Sequence, residues 1–295
     1  MTRNCLFIRY ALNLTMENKI LREFILRSLA EDLGDGDHTS LACIPADAIG
    51  KAKLLIKEKG ILAGIRVAAE LFSIIDKNLK FELILEDGTR VVPGDIAFYL
   101  TGHQQSILKS ERLVLNIMQR MSGIATSTHE YVTQLNGLKT KILDTRKTTP
   151  GFRFLEKEAV RIGGGLNHRM GLFDMIMLKD NHIDYAGGIY NAINKTRAYL
   201  KKNNLNLKVE IEARSLEDVR TILSTGGADR IMLDNFSIED TRMAVKEISG
   251  RYETESSGGI DLSTIRSYAE CGVDFISAGA LTNHIKSIDM SLKAI

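Results

Sequence analysis

Residues 209–237, VEIEARSLEDVRTILSTGGADRIMLDNFS, read as one strand–helix–strand unit. Val209–Ile211 and Ile231–Leu233 are short apolar runs whose starts lie 22 residues apart, about one strand plus one helix. The same alternation extends outward in both directions. Lys141–Leu143 and Met175–Leu178 precede it, and Tyr252–Thr254 and Phe275–Ser277 follow it. Six such units suggest a parallel α/β barrel rather than an open sheet. No GxGxxG follows any of these strands, which counts against a dinucleotide fold.

The first third of the chain has a different rhythm. Ile20, Leu21, Phe24, Ile25 and Leu29 predict a helix over Glu17–Asp32, stopped by the run Gly34-Asp35-Gly36-Asp37. A helix over Gly64–Ile75 and strands at Phe81–Leu85 and from Ile96 to Leu100 suggest an α+β domain ending near residue 105. Two helical stretches, Ser106–Met121 and Ile124–Leu135, then lead into the barrel pattern. The tail alternates at Ile288, Met290 and Leu292, as a strand returning to the first domain would. Met1–Thr15 reads as a short extension; Arg9 interrupts its apolar run and no small-residue cleavage site follows.

Composition narrows the function classes. In 295 residues, 44% are hydrophobic and 26% charged, as in an ordinary packed protein. A formal charge of +2 gives no reason to expect nucleic acid or an anionic membrane, and no apolar run reaches the roughly 20 residues that span a bilayer. Cys5, Cys43 and Cys271 are scattered without zinc-site spacing, which fits a reducing, cytoplasmic compartment.

In an α/β barrel, chemistry sits at the carboxyl ends of the strands. Those positions hold an ordered set here: Thr145-Arg146-Lys147 after the first strand, Lys179 after the second, Glu212 after the third and Asp234 after the fourth. Ser256, Ser257, Gly258 and Gly259 follow the fifth strand, and Ala278, Gly279 and Ala280 the sixth. Between the first two strands, GGGLNHR (163–169) adds His168 and Arg169. The cations suit carboxylates and phosphates. Glu212 and Asp234 suit sugar hydroxyls or a hydrated Mg²⁺, and the glycine turns suit phosphate. Taken singly, Glu212 or Asp234 is more often solvated, and a lone SGG or AGA often only closes a loop. His182 is placed to orient the loop at Lys179, and His103 and His129 read as surface or cap residues. The ordered set points to a polyanion carrying a sugar and at least one phosphate. A barrel that only binds a phosphorylated metabolite is the competing class, and the complete charged set argues against it.

These residues lie in stretches that together resemble the quinolinate phosphoribosyltransferase family: EDLGDGDHTS (31–40), ERLVLNIMQRMSGIAT (111–126), DTRKTTPGFR (144–153), GGGLNHRMGL (163–172), MLKDNHI (177–183), VEIEARSLED (209–218), IMLDNFS (231–237), ESSGGI (255–260) and GVDFISAGALT (272–282). Ser256 departs from the alanine common before SGG. The resemblance implies an α/β class with an N-terminal α/β sandwich and a C-terminal open parallel α/β barrel of fewer than eight strands. The corresponding bounds are 16–125 for the sandwich, 126–282 for the barrel and 283–295 for a returning segment, with 1–15 unassigned. It further implies Mg²⁺-dependent transfer from 5-phosphoribosyl 1-diphosphate to quinolinate, in a homodimer or a dimer of dimers. Carried over by motif, Arg146, His168, Arg169 and Lys179 fall on quinolinate-binding positions. Thr145, Lys147, Glu212, Asp234, Ser257, Gly258, Gly259, Ala278, Gly279 and Ala280 complete the substrate set, with Lys147, Glu212 and Asp234 in the catalytic roles. Glu212 and Asp234 are also the expected metal positions, directly or through water. Arg112 matches a residue supplied to the neighbouring subunit; the alternative is an ion pair with Glu111 or Asp144 of its own chain. A family relative using another acceptor is the remaining enzymatic alternative.

Overall fold

A computed structural model describes residues 3–295, with side chains described from Asn18 onward. The expectations for Cys5 and for the side chains of 1–15 lie outside the described residues. The chain divides into two compact units, 1–126 with 286–295, and 127–285.

The first unit begins with α1 (Arg3–Leu33), longer than the Glu17–Asp32 helix read from periodicity. Leu21, Ile25 and Leu29, four residues apart, form its buried stripe. Asp37 caps α2 (His38–Cys43) by accepting from the Ser40 N–H at 3.1 Å. Next come β1 (Ile49–Ile56), β2 (Gly60–Ile61), α3 (Ile65–Ile75), β3 (Lys80–Leu83), β4 (Arg90–Val91) and β5 (Ile96–His103). β3 is shorter than expected. Past Leu83, the N–H groups of Ile84 and Leu85 both converge on the Ala97 carbonyl, which breaks the regular ladder. The tail forms β12 (Met290–Ala294), which pairs antiparallel with β1 and places Leu292 opposite Leu54 and Met290 opposite Ile56. The resulting sheet has the order β12-β1-β5-β3, and β2 pairs with β4. Phe72 of α3 meets Phe98 of β5 edge-on at 5.6 Å, and Phe81 stacks obliquely on Phe98 at 4.8 Å.

The two helices expected over 106–121 and 124–135 are one continuous helix, α4 (Gln104–Gln134). A glycine such as Gly123 costs a helix interior about 1 kcal/mol relative to alanine. Its neighbours Met121, Ile124 and Ala125 are fully buried, and the Ser122 hydroxyl accepts from the Ala63 N–H at 2.9 Å. Packing outweighs the local preference.

The second unit carries six parallel strands separated by helices. In order they are β6 (Lys141–Leu143), α5 (Arg153–Ile162), β7 (Ile176–Leu178), α6 (Asp180–Ala186), α7 (Ile189–Lys202), β8 (Val209–Ala213), α8 (Leu216–Thr225), β9 (Arg230–Asp234), α9 (Ile238–Ile248), β10 (Glu253–Ser257), α10 (Ile265–Ala269), β11 (Phe275–Ser277) and α11 (Ala280–Asn283). The sheet order is β6-β11-β10-β9-β8-β7. Its edges, β6 and β7, are consecutive along the chain. A closed barrel would pair them; among the described residues, β6 instead gains a single bridge from Leu143 to Leu166. The barrel is therefore open between its first two strands, where the segment 163–169 lies.

β8, β9 and β10 run two, one and three residues past the segments that reveal them, so Glu212, Asp234, Ser256 and Ser257 belong to the strands themselves. Alternation then puts Glu210 and Glu212 on one face of β8, Arg230, Met232 and Asp234 on one face of β9, and Glu253, Glu255 and Ser257 on one face of β10. Arg230 lies opposite Glu210 on β8 and Glu253 on β10, and Asp234 lies opposite Ser257.

Candidate active site

The carboxyl ends of the six strands enclose a cavity of about 700 Å³. It is lined by Thr145, Arg146, Lys147, His168, Arg169, Lys179, Glu212 and Asp234, together with Ser257–Gly259 and Ala278–Ala280. The charge is sorted by position in the sheet. Cations come from the edge strands β6 and β7 and from the segment joining them. Carboxylates and small turns come from the four central strands.

After β6, the Lys147 N–H donates to the Thr145 hydroxyl at 3.1 Å, and the Thr282 hydroxyl donates to the Lys147 carbonyl at 2.8 Å. The Lys147 side chain crosses Gly279 so closely that a Cβ there would sit 2.9 Å from its Cδ. Arg169 is buried, and its guanidinium bonds only the Met175 carbonyl, at 3.3 Å, in the described chain. Burial, then the nearby Arg146 charge, pulls its pKa down. Two guanidinium groups held together this way favour an anion between them.

Lys179 caps α6, where its N–H donates to His182 Nδ1 at 3.1 Å, so His182 shapes this loop. Its ammonium group lies 2.8 Å from Glu212 Oε1, and Glu212 Oε2 accepts the Asp180 N–H at 3.1 Å. Two residues read from sequence as belonging to different halves of the ligand are thus ion-paired. Asp234 accepts from the Asn235 amide at 2.9 Å, and Asn235 adopts φ 56°, a left-handed conformation uncommon outside glycine. Burial and the Glu212 charge raise the Asp234 carboxyl pKa. Gly258 has φ 98°, and a Cβ there would fall 2.1 Å from Asn235 Oδ1, so this turn requires glycine.

Arg112 is exposed on α4 and makes no ion pair among the described residues. Asp144, its suggested intrachain alternative, is fully buried and holds Lys157, itself 1% exposed. Asp144 also accepts from the Asn167 amide at 2.5 Å and the His168 N–H at 2.9 Å. Burial raises the Asp144 pKa and lowers that of Lys157. His103 meets Asp76 at 2.9 Å in the first unit, a local tie.

Below the mouth lies a second charged group that the sequence reading missed. His168 Nε2 is 2.8 Å from Glu210 and 3.5 Å from Glu255. Arg230 donates to Glu255 at 2.8 Å and to Glu253 at 3.1 Å, and it stacks on the Phe275 ring at 4.1 Å. Burial raises the Glu210 carboxyl pKa and lowers that of the His168 imidazole. Glu255 is pushed up to about 7, by burial first and the Glu210 charge second. A signal was available: VEIEA and ETESS place charged residues two apart, and RIMLD four apart, on one face of strands where apolar side chains would fill most barrels.

An open parallel barrel with this mouth defines an enzyme class that handles anionic sugar phosphates. The chain belongs to the quinolinate phosphoribosyltransferase family. It matches the C-terminal domain of quinolinate phosphoribosyl transferase over residues 124–293 and the N-terminal domain over 37–122. It is 46% identical over 288 residues to the chloroplastic nicotinate-nucleotide pyrophosphorylase (carboxylating) of Arabidopsis thaliana, covering 92% of this chain and 82% of that one. The probable nicotinate-nucleotide pyrophosphorylase (carboxylating) of Bacillus subtilis is 43% identical over 274 residues, with coverage of 93% and 92%. The solved nicotinate-nucleotide pyrophosphorylase of Francisella tularensis superposes with a TM-score of 0.88 at 42% identity, over 94% of this chain and 97% of that one.

Proposed function

We propose that the chain transfers a phosphoribosyl group from 5-phosphoribosyl 1-diphosphate to quinolinate, giving nicotinate mononucleotide, diphosphate and CO₂ for NAD synthesis. The observation that carries this reading is the sorted cavity, with cations at the two sheet edges and carboxylates and glycine turns at its centre. Arg146 and Arg169 grip the two carboxylates of the pyridine ring, with Lys179 beside them. The turns at Ser257–Gly259 and Ala278–Ala280 receive the phosphate.

Cleavage of the C1–diphosphate bond leaves positive charge on the ribose ring, which Glu212 and Asp234 stabilise, while Lys147 offsets charge on the leaving group. The pyridine nitrogen forms the new bond to C1. The ring, now cationic, accepts the electron pair left when the 2-carboxylate departs as CO₂. No protein nucleophile takes part; positioning and electrostatics do the work. Asp234 fits a hydrated Mg²⁺, since a cation would relieve the repulsion from the Glu212 charge, while Glu212, whose two oxygens already accept from Lys179 and Asp180, would reach the ion through its water. When bound, Mg²⁺ supplies charge neutralisation to the diphosphate. A ligand lacking one carboxylate leaves the buried Arg169 guanidinium short of an acceptor, so nicotinate is a poor substrate.

We assign a homodimer in which exposed Arg112 serves the partner's cavity. Arg112→Ala and Lys147→Ala are then each inactive alone. After random reassortment of equal amounts, roughly a quarter of wild-type activity returns; no recovery once subunit exchange is verified places Arg112 in its own chain's site. The unpaired thiols of Cys43 and Cys271 suit a cytoplasmic setting. No described helix is long and apolar enough to cross a membrane. The reaction itself is tested by incubating the protein with quinolinate, the ribosyl diphosphate and Mg²⁺. Mass spectrometry should detect nicotinate mononucleotide with CO₂ released; binding of both substrates without CO₂ under any metal condition contradicts the reading.

A further inference from the structure

β6 and β7 do not pair, and the loops that carry Arg146 and Arg169 rise from the two sides of that opening. Side chains of α5 tie these loops down. Arg153, Glu156 and Lys157 stand three and four residues apart on one face of that helix. Glu156 accepts the Thr149 N–H at 3.1 Å, and Lys157 donates to the His168 carbonyl at 3.1 Å. Arg153 reaches both loops at once. Its Nε donates to the Thr148 hydroxyl at 2.9 Å, and its Nη1 donates to the Met170 carbonyl at 3.0 Å. Both acceptors adjoin the anion-binding side chains. Met170 directly follows Arg169, and the Thr148 N–H closes a turn on the Arg146 carbonyl at 2.9 Å. Arg153 itself does not line the cavity.

We propose that Arg153 is a positioning residue that sets the separation of Arg146 and Arg169, and thereby selects a ligand with two carboxylates on adjacent ring carbons. This rests on the reading of the cavity as a quinolinate site. The two cavity guanidinium groups repel each other until an anion lies between them, so their spacing has to be imposed from outside. A third guanidinium suits that task. Its planar fork fixes two donors in direction, whereas lysine is a point charge on a flexible stem. Each loop also has an anchor of its own. The Asp174 carboxylate accepts the Met170 and Gly171 N–H groups at 2.6 and 2.8 Å, and the Thr282 hydroxyl holds the Lys147 carbonyl at 2.8 Å. Loss of the Arg153 bridge therefore frees the loops relative to each other without undoing either turn. Lys147, on the ribosyl diphosphate side, stays in place.

The test is calorimetry with phthalate and isophthalate, ring dicarboxylates that differ only in whether the two carboxylates are adjacent. Neither has a ring nitrogen, so no turnover enters the measurement. Arg153→Lys keeps the charge and removes the fork. It should weaken phthalate binding about tenfold, as expected for one lost charge-assisted hydrogen bond, with isophthalate and the ribosyl diphosphate within about twofold. Thr148→Val removes the acceptor at the other end of the bridge. It should lose as much, and the double variant should lose no more than either single one. Unchanged phthalate binding in Arg153→Lys, equal losses for both dicarboxylates, or a fully additive double variant each overturn the proposal. If Arg153→Lys does not fold, Thr148→Val decides by the same comparison of probes. A wild-type chain that binds neither quinolinate nor phthalate overturns the reading of the cavity, and this proposal with it; the variants bear on the proposal alone.

Discussion

The two sheets solve the problem of an interior in opposite ways. The antiparallel sheet of the first unit packs Phe72, Phe81 and Phe98 against one another and buries Ala52, Leu54 and Ile56 from β1. Its stability comes from apolar area and close packing, which tolerate small shifts and depend little on pH. The parallel sheet of the second unit puts Glu210, Arg230 and Glu255 where such barrels usually hold branched apolar side chains, and the neighbouring segment buries Asp144 with Lys157. Buried charges are held by specific partners, so each is vulnerable to loss of one neighbour. The difference teaches that the barrel gives up tolerance to gain fixed directions for the groups at its mouth.

The sharpest way to break this contrast is to unpair a buried charge. Lys157→Met leaves Asp144 uncompensated beneath the Asn167–His168 backbone and should cost about 3–5 kcal/mol in denaturant unfolding. A loss below about 1 kcal/mol would show that the pair is dispensable. Arg169→Ala touches function rather than folding. It should weaken quinolinate binding by about 2–5 kcal/mol in calorimetry, while ribosyl diphosphate binding changes little. Equal losses for both ligands would mean that the two halves of the cavity are assigned wrongly. In the apolar sheet, Phe98→Leu should cost about 1–2 kcal/mol, because packing around a smaller side chain partly collapses. That cost should be the same at pH 5 and pH 7, and a pH-dependent cost would erase the distinction between the two interiors.

The smallest effect is the pH dependence of the barrel itself. Glu255 rises from its ordinary 4.5 to about 7 in the folded chain, surrounded by Glu210, His168, Arg230 and Ser277. Between those two values the folded state retains a proton that the unfolded state has released. Stability therefore falls as pH rises through that window. His168, whose imidazole is shifted down, acts in the opposite direction, so the comparison with Glu255→Gln isolates the carboxyl. The variant should show a flatter profile of melting temperature between pH 4.5 and 7. Parallel profiles would remove Glu255 from the pH response.

Much of this was legible along the chain. Strands β6 to β11 appeared as short, largely apolar segments, the last four at regular spacing, because a strand covered on its outer face by helices needs Ile, Leu and Val there. The mouth residues stood out because charged and small residues directly after such triplets have no core role. The continuity of α4 was not legible: Gly123 signals a break locally, and only the packing of Met121, Ile124 and Ala125 overrides it. The inner charged layer was hidden for a related reason. Glu210 and Glu255 look like solvated faces of exposed strands until the sheet curls and places them inside.

The sequence by itself determined the family, the order of the strands and which residue types stand at their ends, since periodicity and motif spacing are properties of neighbours along the chain. Tertiary structure alone decided the partners. It paired Lys179 with Glu212 across 33 positions, set Asp144 on Lys157, and brought the His168 ring within 2.8 Å of Glu210. Electrostatic and hydrogen-bond energies depend on distance and on the exclusion of water, and neither exists until the barrel brings distant strands together.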